Sequence, residues 1–155
     1  MVLLREESVE APEALGQRAE VEEVGTTDFG IAQALIGAPG SARRLAVVEA
    51  VTFVGTELHK VFSPWLWHKE TADSTRQAVK DKLALRFKEL DALFAKQDWI
   101  AGDYSIADMY AFTILNWTKF LHLSLAEYPK LQAYLQRVAA RPAVQAALQA
   151  ERHAK

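Results

Sequence analysis

The chain has 155 residues, half of them hydrophobic, with a formal net charge of −2 and no cysteine. That length supports one compact core. The missing thiols exclude disulfides, thiolate metal sites and a cysteine nucleophile, and the near-neutral total gives no electrostatic reason to bind nucleic acid or an anionic membrane.

Helix formers (Ala, Leu, Glu, Lys, Gln, Arg) dominate, against 7 Gly and 5 Pro. No apolar run approaches the roughly 18 residues of a membrane span, and the start, Met1 to Glu7, turns acidic at once. A cytoplasmic protein without membrane contact is the expectation. The first 28 residues hold eight acids (Glu6, Glu7, Glu10, Glu13, Glu20, Glu22, Glu23, Asp28) against Arg5 and Arg18. They read as an acidic leader on a mildly basic body, and charge runs of this kind are usually solvated. Thr26, Thr27 and Asp28 offer caps for a short apolar helix from Phe29 to Ile36. Gly37-Ala-Pro-Gly40 ends it as a linker.

Ser41 is a good N-cap for a long helix from Ala42 to about Phe62, with Leu45, Val48, Gly55, Leu58 and Phe62 at helical spacing. Ser63-Pro64 breaks it. Trp65 to Glu70 reads as a loop with exposed Trp65 and Trp67. A second long helix starts at Asp73 or Ser74, with Val79, Leu83, Phe87, Leu90 and Phe94 as its buried stripe. After a turn at residues 97–103 comes Ser105-Ile-Ala-Asp108. Ser105 at the N-cap and Asp108 three residues on form a capping box, with Tyr104 and Met109 placed as a hydrophobic staple. The following helix, Ile106 to about Leu121, is apolar nearly all round and belongs at the centre of a domain. Pro129 opens a further helix to about Ala140, and Pro142 opens the last as its first helical residue. The expected fold is all-α, with no convincing strand.

Gly102 followed by Ser105-Ile-Ala-Asp108 resembles the start of the central buried helix in the C-terminal domain of the glutathione S-transferase family. Thr56-Glu-Leu-His-Lys60 with Phe62 and Pro64, Leu115-Asn-Trp-Thr118, and Tyr134 to Ala147 with its Arg-Pro-x-Val joint resemble the bacterial beta class. The resemblance covers residues 41–150, with its motifs in order. It implies a helical bundle over 41–155. It also implies a preceding thioredoxin-like domain that binds glutathione and activates its thiol. That domain needs roughly twice the 40 residues before Ser41. Residues 1–40 are therefore expected to be the acidic leader plus the last helix of a truncated thioredoxin-like domain.

The resemblance also implies site residues. His59 and Lys60 face the glutathione site, where a cation favours thiolate over thiol, and Thr56 and Asp28 complete the glutathione-binding set. The ordinary reading of His59 and Lys60 is a solvated pair of cations at a helix end. Phe62, Trp65, Tyr110 and Trp117 line a hydrophobic substrate site, although Tyr110 and Trp117 fit a plain core equally well. Ser105 and Asp108 are structural. No catalytic residue is assigned, because no cysteine exists and no tyrosine precedes Tyr104. The four histidines lack metal-ligand spacing.

Two functions follow. One is a family member with reduced or absent glutathione conjugation, acting as a homodimer. The other is a non-catalytic module that binds a protein partner or a hydrophobic small molecule.

Overall fold

The computed structural model describes residues 28–153, and every regular element among them is helical. In chain order these are α1 (Asp28–Ile36), α2 (Ala42–Phe53), a π-helical stretch (Val54–His59), α3 (Lys60–Phe62), α4 (Asp73–Phe94), α5 (Ile106–Leu115), α6 (Trp117–Phe120), α7 (Pro129–Ala139) and α8 (Pro142–His153). The all-α expectation holds over this range. Residues 1–27, the bulk of the acidic leader, lie outside the described residues.

The α1–α2 joint follows from its glycines. Gly37 has φ +89°, a conformation open to glycine, and a Cβ there would lie 2.7 Å from the Arg44 backbone nitrogen. The chain therefore reverses, and α1 packs on α2. Ser41 caps α2 as expected, its Oγ accepting from the Arg44 N–H at 3.1 Å. Arg43 clasps the joint from α2. It donates to the Ala34 carbonyl of α1 at 2.8 Å and pairs with Asp103, in the turn before α5, at 2.6 Å.

From Ala42 to Phe62 the chain is one continuous rod, as expected, but Leu45 and Val48, read as part of its apolar stripe, are exposed, because the face that meets the core is offset from them. Val47, Ala50, Val54, Leu58, Val61 and Phe62 are its buried face. The widened π stretch was not foreseen. Thr52 and Thr56 turn their hydroxyls back onto Val48 O and Thr52 O, at 2.8 and 2.9 Å, and so compete with the backbone ladder beside it. Glu57 then pins the stretch to α4 through Arg86, at 2.5 Å. Leu83, Phe87, Leu90 and Phe94 form the buried stripe of α4, as read from sequence.

Helix α5 is central, packing on α2, the π stretch and α7. It ends at Leu115 rather than running on to Leu121. The Asn116 amide donates to Phe112 O at 2.8 Å and the Thr118 hydroxyl to Leu115 O at 2.6 Å. Phe112 O still accepts the Asn116 N–H at 3.0 Å, but the Thr118 hydroxyl takes a carbonyl that the next helical turn would use, and the axis breaks into the short α6.

The capping box forms, and it does more than cap. Asp108 is fully buried and collects four donors: the Ser105 N–H (2.9 Å), the Ser105 hydroxyl (3.3 Å), the Ile100 N–H (3.0 Å) and the Tyr134 hydroxyl (3.1 Å). Tyr134 in turn stacks on Phe94, with ring centroids 3.8 Å apart. Burial, with the Asp108 carboxylate beside it, pushes the Tyr134 phenol well above its usual range, so it stays a donor. Tyr104 lies edge-on to Trp99 at 5.0 Å, under the Arg141 guanidinium. Met109, expected to staple against it, is exposed.

Two outcomes follow. Asp108→Ala should cost about 3 kcal/mol in urea denaturation: about 1 for the cap and the rest for buried donors left without an acceptor. A midpoint equal to wild type contradicts this. The Arg86 hydrogen bond holds the Glu57 carboxyl below its usual range. A depressed folded-state value stabilises the fold above the unfolded carboxylate range, and the gain is lost as pH falls through the folded value. Glu57→Gln should therefore show a shallower loss of stability on acidification than wild type. Parallel acid titrations would refute the linkage.

Candidate functional site

His59 closes the π stretch, and its neighbours are drawn from separate elements. Its Nδ1 lies 2.6 Å from the hydroxyl oxygen of Tyr110 on α5. Its ring meets Tyr110 and Trp117 edge-on, at 5.7 and 5.1 Å between centroids. Trp117, at the start of α6, also meets Phe62 at 6.0 Å and Trp67 at 5.4 Å, again edge-on. Such perpendicular contacts set the positive ring edge on a neighbouring negative face. Tyr110 and Trp117 are seven residues apart, about two helical turns, and fall on one side of the α5–α6 segment. Gly55 lies under Tyr110; a Cβ there would be 3.7 Å from the Tyr110 hydroxyl oxygen.

The loop carrying Trp67 is fixed from both ends. Leu66 is buried in the core. Arg76 on α4 donates to the carbonyls of Thr71 (3.1 Å), Leu66 (3.5 Å) and His68. Trp67 is thus held against Trp117 while remaining 45% exposed. The result is an open aromatic wall with one imidazole in it. Lys60 follows His59 directly, is exposed, and has no ion-pair partner among the described residues.

The expected residues separate into distinct places. His59, Tyr110, Trp117 and Phe62 come together. Phe62 is fully buried and backs the wall from the core side, against Phe87 as well as Trp117. Thr56 is exposed and donates to its own helix. Trp65 is 49% exposed and makes no ring contact among the described residues; Trp67, not singled out for the site from sequence, occupies the wall. The buried Leu66 between two exposed tryptophans was the available signal. Asp28 opens α1, but its side chain lies outside the described residues. Ser105 and Asp108 are the structural pair already described.

Chemically, the wall offers flat apolar surface, one imidazole and a free ammonium. These suit an anionic ligand, a carboxylate or a thiolate, with an aromatic or aliphatic companion. No group of three or more side chains able to hold a metal occurs among the described residues. No described helix is long and apolar enough to cross a membrane.

Residues 53–142 match the family model described as glutathione S-transferase, C-terminal domain. A glutathione S-transferase GstA of Escherichia coli O157:H7 is 34% identical over 118 residues, covering 76% of this chain and 58% of that protein. Among solved structures, a sphingomonad glutathione S-transferase complexed with glutathione superposes with a TM-score of 0.73 at 35% identity, covering 80% of this chain and 62% of that one. A bacterial beta class enzyme from Sphingomonas chungbukensis gives a TM-score of 0.73 at 33% identity, with the same coverage. The chain thus spans about three fifths of the length of these relatives. With the family model matched over most of the described residues and the capped central helix in place, the chain belongs to the glutathione S-transferase family and carries its C-terminal helical domain.

Proposed function

We propose that the end of the π stretch supplies one wall of a glutathione site, and that this chain conjugates glutathione slowly or not at all. The observation that carries the proposal is the pairing of His59, hydrogen-bonded to Tyr110, with a free Lys60 beside an open aromatic face. Lys60 and His59 would hold the anionic end or the sulfur of glutathione. Thr56 and Asp28 are the further members of that set. Tyr110, Trp117 and Trp67 would receive the hydrophobic co-substrate, with Phe62 behind them and Trp65 at the rim. The relative solved with glutathione, and the beta class neighbour, support this reading.

Thiol chemistry within these 155 residues supports the low-activity half of the proposal. A thiol at its ordinary pKa is only a few per cent ionised near neutral pH. The chain has no cysteine, and its first tyrosine is Tyr104. A wall that stabilises a thiolate does not by itself generate one. Action as a cytoplasmic homodimer is part of the same reading. A second reading is favoured by Trp65 and Phe120, which are 49% and 71% exposed. In it, the domain is a non-catalytic module for a partner protein or a hydrophobic ligand.

Calorimetric titration of the 155-residue chain with glutathione tests the proposal. Binding with Kd of about 1 mM or tighter is expected. Lys60→Ala should weaken it roughly two- to fivefold, the worth of one exposed charge pair. Absence of heat at several times that concentration would overturn the glutathione reading and leave the module. Rapid conjugation of an aromatic electrophile would overturn the low-activity half.

A further inference from the structure

The contact between His59 and Tyr110 constrains where two protons sit. The 2.6 Å separation makes this a hydrogen bond whose geometry alone admits either group as the donor. A phenol is a better donor than a neutral imidazole N–H. The Tyr110 hydroxyl has no other hydrogen-bond partner among the described residues, so Nδ1 is the acceptor that the fold provides for its proton.

A neutral imidazole has one N–H donor and one acceptor nitrogen. Which nitrogen carries the proton is set by the hydrogen bond the other makes. With Nδ1 accepting from Tyr110, the ring proton belongs on Nε2. That nitrogen has no partner among the described residues, and it is absent from the buried atoms that lack one. It is therefore reachable from solvent, in a ring flanked by Trp117 and followed by the free Lys60.

We infer that Tyr110 is a positioning residue that locks His59 as its Nε2–H tautomer, so that His59 meets a ligand as a hydrogen-bond donor and not as a base. The ligand class narrows accordingly. An S–H or O–H group brought to this nitrogen finds no lone pair to receive its proton. A thiolate or a carboxylate finds an N–H aimed at it and an ammonium on the next residue. The wall thus selects the ionised form of a ligand that has lost its proton elsewhere. Identifying that ligand as glutathione rests on the function proposed above; the tautomer does not.

The test is nitrogen-15 long-range correlation NMR of the imidazole rings, at a pH about two units above the ordinary histidine value near 6.5. His59→Gln identifies the His59 signals, and the exposed His68 and His122 serve as internal references for unconstrained rings. Wild type should show His59 with a proton on Nε2 and a hydrogen-bonded lone pair on Nδ1. In Tyr110→Phe the His59 signals should move to the pattern of His68 and His122. A proton on Nδ1 in wild type overturns the inference, and this arm needs no variant to fold. An unchanged His59 pattern in a folded Tyr110→Phe overturns it equally. Glutathione added to wild type should shift the Nε2–H signal more than S-methylglutathione does. If neither ligand shifts it while the tautomer pattern stands, the ligand assignment fails and the positioning role of Tyr110 survives.

Discussion

The fold hangs on one buried carboxylate. Asp108 has no solvent exposure, and both of its oxygens are used by donors from three places in the chain: the start of α5, the turn before it, and α7. A buried charge is tolerable when every lone pair is met. Here the solution also sets geometry. The Ser105 contacts start α5 at a fixed residue, the Ile100 N–H ties down the turn, and the Tyr134 hydroxyl sets the depth at which α7 lies against the central helix. Phe94 stacked on Tyr134 carries the constraint into α4. The central helix is apolar on nearly every side, so hydrophobicity alone would leave its rotation and register loosely specified. The directional bonds of Asp108 supply what the non-directional core cannot.

That register is what places the wall. Tyr110 follows Asp108 by two residues, and Trp117 follows Tyr110 by seven. Once α5 is fixed, both rings face the end of the α2 rod. The rod answers with the π stretch, whose Gly55 lies under Tyr110 and whose last residue is His59. Wide helical turns of this kind recur where a side chain must be re-aimed. The Glu57–Arg86 pair holds the turn against α4 from the other side. The imidazole is thus approached through two elements, each anchored to the core independently.

Much of this was legible in the sequence, for identifiable reasons. Helical spacing gave the extent of the α2 rod and the α4 stripe, because burial repeats with the helical period, but on α2 it selected Leu45 and Val48, which face outward. Ser105 and Asp108 gave the start of α5, because cap chemistry is local. The break after Leu115 was missed: Thr118 looks ordinary in the run that follows, and only its geometry shows it taking the Leu115 carbonyl from the ladder. The π stretch was missed because an extra residue in one turn leaves no clear periodic trace over six positions. Trp67 was passed over and Trp65 preferred because the turn at Ser63-Pro64 decides which of the two faces Trp117, and that decision depends on Leu66 entering the core and on Arg76 meeting the loop from α4. Tyr104 meets Trp99 and Arg141 instead of Met109: Arg141, distant in sequence, covers its ring, and Trp99, as near in sequence as Met109, takes its edge.

The clasp at the α1–α2 joint bears on anything attached ahead of it. Gly37 takes a positive φ where a side chain would collide with the Arg44 backbone, and Arg43 bonds simultaneously to α1, to Asp103 and to the Tyr104 carbonyl. Helix α1 is therefore less a hinge than a mounting bracket, keyed to the residues that begin the central helix. A polypeptide joined at Asp28 inherits a defined point and direction of departure. An engineer fusing a cargo there would find its placement set by this bracket up to the first residue of α1, and adjustable only beyond it.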